Sequence, residues 1–380
     1  MSEIYLDNNA SAPLDPEVRE AMLPYLGDVF GNSRSAHPRG TRIKAAIEHA
    51  RAQVAALWGC DPGEVIFTSG GSEANNLSIK GLAFRATQRK HLVMSAVEHL
   101  AVSAAVRFLQ RLGFSSTTVP VDGQARIDAA AFSAALRDDT LLVCIQHANN
   151  EVGTVQDVAA LAARAHTRGA LVHCDAAQSV GKLPVRVSEL GADLCALAAH
   201  KFCGPQGIGA LYVKRGLELE PLVHGAGHEH GLRSGTHPAA LIVGLGRACE
   251  LALQRQADDA ARMTLLRDRL FEKLRGEVPS VVLNGHPTLR LPNTLNVSFP
   301  GVLGYELVEK LEGVAASTGA ACHAGSPEMS LTLKAMGAKP DVGLGAIRLS
   351  LSRLTTEAEV DEAARRIGHA VRLSRPPAAP

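Results

Sequence analysis

Apolar side chains recur at helical spacing at Ile43, Ile47, Ala50, Val54 and Leu57, which predicts an amphipathic helix over residues 39–58. Beyond it the pattern changes to short apolar runs at 64–68, 91–95, 117–121, 141–145, 171–174, 193–198 and 209–213, each followed by a helical or loop-like stretch. Strands alternating with helices predict an α/β fold with a mainly parallel sheet covered on both faces. Ligands of such sheets bind beyond the carboxyl ends of the strands. Residues 238–278, rich in Ala, Leu and Arg, read as one long helix or a pair bridging two domains. Strand-like runs follow at 281–283, 294–299 and 347–352, with a helix near 305–311. A last helix is expected to start at Thr356-Glu357-Ala358-Glu359, a capping box in which hydroxyl and carboxylate satisfy free backbone donors. This final third reads as a smaller α+β domain, and residues 375–380 as a frayed end.

A chain of 380 residues exceeds what one hydrophobic core usually serves, which agrees with two domains. With 46% hydrophobic and 20% charged residues and a net charge of +1, nothing points to a nucleic-acid or membrane partner. Aromatic residues are only 4%, and no basic stretch is interleaved with them. The N-terminus lacks the basic and apolar regions of a signal peptide, so the cytoplasm is the expected compartment. The seven cysteines are odd in number and include no Cys-x-x-Cys pair, so neither a disulfide framework nor a metal site is expected. Cys144, Cys174, Cys195 and Cys249 lie in apolar surroundings and read as small buried hydrophobes.

Five segments carry candidate chemistry. Phe67-Thr68-Ser69-Gly70-Gly71-Ser72 ends a strand, turns on two glycines and leads into a helix expected to open at Ser72. Glycine lets the backbone approach a ligand, and a helix N-terminus offers free N–H donors to an anion. Gly71 and Ser72 are therefore a candidate phosphate cradle; a plain turn capped by Ser72 is the alternative. In Val172-His173-Cys174-Asp175 a carboxylate closes an apolar strand, either to pair with a protonated pyridine nitrogen or to cap a helix. Lys201, between an apolar strand and Gly204-Pro205, is either a buried amine of lowered pKa, ready to condense with a carbonyl, or a lysine that snorkels to the surface. Cys322, flanked by small residues and followed by His323, is either a reactive loop thiol or a loop cysteine without a role. Arg348, inside an apolar strand, needs an anion: a substrate carboxylate or an internal salt bridge.

The order of these segments along the chain resembles that of the cysteine desulfurases, pyridoxal-phosphate (PLP) enzymes of the class V aminotransferase group with the aspartate-aminotransferase-like fold. The resemblance runs from Tyr5-Leu6-Asp7-Asn8-Asn9-Ala10 through Phe30-Gly31-Asn32, the 68–76 turn, Glu98-His99 and Asn149-Asn150-Glu151-Val152-Gly153. It continues through His200-Lys201, Leu232-Arg233-Ser234-Gly235-Thr236, the Cys322 loop and Leu349-Ser350-Leu351 to the Thr355-Thr356-Glu357 helix start. It implies a large PLP-binding domain over 16–255, and a small domain formed by 1–15 and 256–380 that carries the Cys322 loop. By resemblance, Lys201 holds the cofactor and moves the Cα proton, Asp175 faces the pyridine nitrogen, and Gln178 and Asn150 sit by the phenolic oxygen. His99 stacks on the ring and assists proton transfer, while Gly71, Ser72 and His200 cradle the phosphate. Thr236 is implied to reach the phosphate of a partner subunit, hence a homodimer. Arg348 would clamp the substrate carboxylate. Cys322 would take the sulfur as a persulfide, release alanine, and pass the sulfur to an acceptor protein or small thiol.

Three departures stand out. Ala198 occupies a position where many members carry a phosphate-binding Ser, and Gly225-Ala226-Gly227-His228-Glu229 replaces the more usual Gly-Gly-Gly-Gln-Glu. The loop Gly319-Ala320-Ala321-Cys322-His323 replaces a Ser-Gly-Ser-Ala-Cys-Thr type. The first and third resemble selenocysteine lyases, whose selenolate leaving group depends less on an attacking thiol. A selenocysteine lyase is thus the alternative activity. A non-catalytic PLP-binding scaffold of a sulfur-transfer assembly is a further one, which the intact set of Lys201, Asp175, His99 and Cys322 argues against.

Overall fold

The computed structural model describes residues 3–318 and 328–374, so Cys322 and the tail 375–380 lie outside the described residues. Seven strands form the main sheet: β1 (Val65–Thr68), β2 (His91–Ser95), β3 (Ser115–Val119), β4 (Thr140–Gln146), β5 (Leu171–Asp175), β6 (Leu194–Ala198) and β7 (Gly209–Val213). Their spatial order is β1-β7-β6-β5-β4-β2-β3. All neighbours run parallel except β7, which is antiparallel to both β6 and β1. Two reversals restore direction, so β1 points the same way as the parallel strands. The sheet is therefore mainly parallel, as expected, with one reversed strand that the apolar runs did not distinguish.

Alternate side chains of each strand feed two separate cores, as a period of two demands. Phe67, Val93 and Val143 pack with Trp58 and Phe132 on one face. Their neighbours Ile66, Leu92 and Leu142 pack with Leu77, Ile79 and Leu109 on the other. β3 ends at Val119 rather than reaching residue 121 because Pro120 has no N–H to extend the ladder. The helix Pro38–Trp58 matches its predicted span and packs against the long helix Ala239–Glu277. At Gly246 of that helix an added Cβ would meet the Ala50 side chain at 2.7 Å, so only glycine permits this approach.

The 238–278 stretch is one helix of 39 residues, which at 1.5 Å per residue spans about 58 Å. Its first half gives Ile242, Leu245 and Cys249 to the main core. Its second half gives Leu266, Leu270 and Leu274, four residues apart, to another core. That core is completed by Ile4, Leu6, the antiparallel strands β8 (Val282–Leu283), β9 (Thr294–Ser298) and β10 (Ala346–Ser350), and the last helix, Glu357–Ser374. The capping box is formed: Thr356 Oγ1 accepts from Glu359 N at 3.2 Å, and Glu359 Oε2 accepts from Thr356 N at 2.7 Å. No described helix is long and apolar enough to cross a membrane.

One buried ion pair ties the 224–237 segment to this frame. Glu229 accepts from Arg51 Nη1 and Nη2 at 2.8 Å each, from Phe67 N at 2.7 Å and from His237 Nε2 at 2.7 Å. Glu229 and His230 adopt left-handed backbone, at φ 50° and 56°, to present that carboxylate. Burial pushes the Glu229 carboxyl up, but the hydrogen bonds and charge of Arg51 outweigh it and hold the group down at about 2. A carboxylate depressed in the folded state contributes stability above its unfolded pKa of about 4.3 and loses it as pH falls through about 2. Glu229→Gln should destabilise the fold by about 3–5 kcal/mol at pH 7, because it strands a buried Arg51 charge. Denaturant titrations at pH 7 and pH 3 test this, and the deficit of the variant should shrink at the lower pH.

Candidate active site

Because β1 and the parallel strands end at the same edge, the loops that follow them converge. The turn after β1 carries Gly71 and Ser72; that after β2 carries His99; that after β4 carries Asn150. Asp175 and Gln178 follow β5, and His200 and Lys201 follow β6. All eight border one cavity of about 410 Å³, together with Arg348 of β10, Asn9, Asn75 and Ala198. Thr236 is exposed and does not border it.

Lys201 is partly buried and does not snorkel outward. Its Nζ donates to the carbonyls of Asn9 and Ala10, both at 2.8 Å. Burial pushes the amine down to about 8, the Arg348 charge adds to this, and Asp175 and Asp7 oppose it. Asp175 Oδ1 accepts from Ala177 N at 3.0 Å and Oδ2 from Asn75 Nδ2 at 2.8 Å. Behind Asn75, His173 Nε2 lies 2.8 Å from Asn75 Oδ1, and its Nδ1 lies 2.9 Å from Ser78 Oγ. Burial holds this imidazole neutral, at about 4. With Asn75 donating to Asp175, its Oδ1 must accept, so His173 carries its proton on Nε2. The whole relay aims Asp175 into the cavity.

The helix after β1 begins at Gly71, one residue before the predicted start, with Gly70 at φ 150° as its cap. No side chain caps it, so its first N–H groups stay available to a ligand and the Ser72-capped turn is excluded. Gly71 faces the methyl of Ala198, 3.4 Å from where its own Cβ would lie. His99 Nδ1 accepts from Ala101 N at 3.1 Å, which leaves Nε2 as the donor edge. His200 is held neutral, at about 4, by burial and then by Lys201 and Lys182. Arg348 makes the internal salt bridge that was one of its two expected roles. Its Nη2 pairs with Asp7 Oδ1 at 2.7 Å and its Nη1 donates to Asn150 O at 3.0 Å, yet its buried Nε has no partner among the described residues.

The sequence reading passed over Asn9, Asn75, Glu98 and Lys182. Asn9 stood inside a quoted motif, but its main role is to offer a backbone carbonyl, which no side-chain identity announces. Glu98 is half-buried, but its carboxyl is enclosed and burial pushes it up to about 8, which favours the protonated form at neutral pH. Its Oε1 accepts from Ser95 Oγ at 2.6 Å and Gln146 N at 2.8 Å, which fixes the His99 loop to the end of β4.

The family model described as aminotransferase class-V matches residues 4–363. The chain is 43% identical over 362 residues to the cysteine desulfurase IscS of Dictyoglomus turgidum, covering 94% of this chain and 92% of that one. It is 43% identical over 376 residues to a cysteine desulfurase of Rattus norvegicus, covering 98% and 83%. A solved NifS-like protein superposes with a TM-score of 0.92 at 35% identity, covering 98% and 100%. SspA in complex with cysteine superposes with a TM-score of 0.82 at 37% identity, covering 93% and 99%. The chain belongs to the aminotransferase class-V family and, within it, to the cysteine desulfurases.

The charges around Lys201 give a test with two opposite signs. Arg348→Gln removes a like charge and leaves Asp7 facing the amine, so the pKa of Lys201 should rise; Asp175→Asn removes an opposing carboxylate, so it should fall. Competitive acetylation of hydroxylamine-stripped protein across pH, read at the Lys201 peptide, measures both. Identical midpoints in all three proteins would mean that burial alone sets the value.

Proposed function

We propose that this chain is a PLP-dependent cysteine desulfurase that converts L-cysteine to L-alanine and leaves a persulfide on Cys322. The observation that carries the reading is one cavity bordered by an amine held down to about 8, the Asp175 carboxylate and a guanidinium whose Nε has no partner among the described residues. The relatives described as cysteine desulfurases support the substrate.

The donor set fits PLP. An uncapped helix start at Gly71 and Ser72, with neutral His200 beside it, suits a phosphate. Asp175 uses one lone pair on each oxygen for protein donors and keeps others for a pyridinium N–H. Gln178 and Asn150 border the same cavity and are assigned to the phenolic oxygen, and His99 to the ring face. When bound, the cofactor supplies an electron sink for the charge left at Cα.

The protein groups then divide the work. Arg348 holds the substrate carboxylate, with Asp7 and the Asn150 carbonyl fixing its plane. Lys201, once free, is basic enough near neutral pH to take the Cα proton and return it. The Cys322 thiolate attacks the substrate sulfur: an S–S bond forms, the Cβ–S bond breaks, and its electron pair stays with carbon, which gains a proton to become the alanine methyl. The flanks of the Cys322 segment support this role. Ser317 N donates to Arg348 O at 3.2 Å on one side, and Thr332 Oγ1 donates to Glu151 Oε1 at 2.9 Å on the other. The first flank thus abuts Arg348, which borders the cavity, and the second abuts Glu151, the neighbour of cavity-lining Asn150.

We further assign 16–255 to a large domain and 1–15 with 256–380 to a small one, in line with the separate cores. Exposed Thr236 is assigned to the phosphate of a second copy, hence a homodimer. The outer sulfur would pass to an acceptor protein or small thiol. Six described cysteines are free, which suits the cytoplasm.

Sulfide and alanine release from cysteine, and selenide release from selenocysteine, separate desulfurase from lyase. Lys201→Ala should abolish all of them and the borohydride-trappable cofactor. Cys322→Ala should lose about a hundredfold or more on cysteine while keeping activity on selenocysteine, whose leaving group needs less help. Equal activity of that variant on cysteine would remove Cys322 from the reaction. Ala198→Ser restores a hydroxyl beside Gly71, and one added phosphate hydrogen bond of about 1 kcal/mol should tighten PLP about fivefold. Equilibrium dialysis measures it.

A further inference from the structure

Lys182 is a buried cation that the chemistry above does not use. It is 5% exposed, four residues after Gln178, and makes no ion pair among the described residues. Its Nζ donates to Gln178 Oε1 at 3.1 Å and to Asn9 Oδ1 at 3.4 Å. It does not border the main cavity. It borders a second one of about 50 Å³, which Gln178 does not line and to which Lys201 and Cys203 also contribute.

A primary amide has two faces that are nearly the same shape and opposite in polarity, so its orientation is set by its neighbours. At Gln178 both neighbours agree. Oε1 takes the Lys182 ammonium, and Nε2 gives one hydrogen to the Asn9 carbonyl at 3.0 Å. A flipped amide would set NH₂ against the ammonium and a carbonyl against a carbonyl. The orientation that remains leaves the second Nε2 hydrogen unassigned in a side chain that borders the main cavity.

We propose that Lys182 is a positioning residue that locks the Gln178 amide with its oxygen on the ammonium, so that Gln178 meets the cofactor's phenolic oxygen as a donor and not as an acceptor. The proposal rests on the PLP reading of the cavity. It gives a reason for leaving an ammonium without a carboxylate in the interior: a carboxylate there would compete with Gln178 for the cation. Burial lowers this lysine to about 7, in keeping with a group held only by amide oxygens.

The test is a double-mutant cycle on the holoenzyme, with PLP affinity read by equilibrium dialysis and the cofactor's visible spectrum recorded alongside. Lys182→Met leaves the Asn9 carbonyl as the one remaining contact that orients the amide, and the flipped fraction, which sets an acceptor against an anionic oxygen, should weaken PLP about tenfold. The visible band should also lose intensity to the near-ultraviolet form, because the ionised phenol is no longer hydrogen-bonded. In a Gln178→Leu background the same Lys182→Met change should alter affinity less than twofold, since no amide remains to be oriented. An equal tenfold loss in both backgrounds, or an unchanged spectrum and affinity in Lys182→Met alone, would overturn the proposal. If Lys182→Met yields too little folded protein, Lys182→Ala supports the same comparison, because it removes the ammonium without adding bulk beside Gln178. Failure of the wild type to take up PLP would instead overturn the reading of the cavity itself.

Discussion

Every polar atom of Asn9 is engaged, and the partners come from both halves of the molecule. Its N–H donates to Ser350 Oγ at 2.8 Å, and its Nδ2 donates to Thr294 Oγ1 at 2.8 Å and Asn150 O at 3.2 Å. Its carbonyl accepts from Lys201 and Gln178, and its Oδ1 from Asn293 and Lys182. The residue is 1% exposed, so water cannot replace a partner that is lost. Through this one residue the second core, to which Ile4 and Leu6 belong, is registered against the strand ends that hold Lys201 and Asp175. The cavity exists because the two cores meet there. The guanidinium from β10 and the amine after β6 face each other only in that register.

The electrostatics follow from the same seam. Lys201, Lys182 and Arg348 are three cations gathered at one buried junction, with Asp7 and Asp175 the carboxylates set against them. An excess of positive charge in a desolvated site has two consequences. It keeps each amine nearer neutrality than it would be in water, which suits a base. It also makes the cavity favourable to a ligand bearing several negative charges, such as a phosphate, a phenolate and a substrate carboxylate. The acids nearby are handled differently. The Glu98 carboxyl is enclosed without a cation, which favours its protonated form, while Asp175 is steadied by neutral donors, through an imidazole that burial keeps uncharged. Neutral donors fix the carboxylate's direction without spending its charge on the protein.

The strands of the seven-stranded sheet and the 39–58 helix were legible in the sequence because each reports a burial pattern of fixed period. The candidate residues that converge on one cavity were legible for a related reason. A charged or small residue that interrupts an apolar run at its carboxyl end has few places to go, and Asp175, Lys201 and Gly71 are all of this kind. What stayed hidden falls into two groups. The reversal of β7 was invisible because a strand buried on both faces reads alike in either direction. The supporting shell was invisible because its roles are relational. Asn9 works through its backbone, Asn75 through a histidine 98 positions away, and Lys182 through an amide one turn earlier. None of these has a spacing rule that distinguishes it from an ordinary polar residue.

At Arg348 the internal ion pair is formed and still leaves part of the guanidinium uncommitted. A guanidinium in an apolar strand was read as needing either an internal partner or a substrate. It has five N–H donors; one on Nη1 goes to the Asn150 carbonyl and one on Nη2 to Asp7, while Nε stays buried with no partner among the described residues. The internal ion pair holds the plane of the group, and the unpaired edge is what a second carboxylate would find. An arginine with no Asp7 would have to be ordered at the moment of binding, at the expense of affinity. One with every donor satisfied would have nothing to offer. The partial satisfaction seen here is the arrangement expected of a binding group, and it depends on Asp7 sitting two residues before Asn9, on the same seam that positions Lys201.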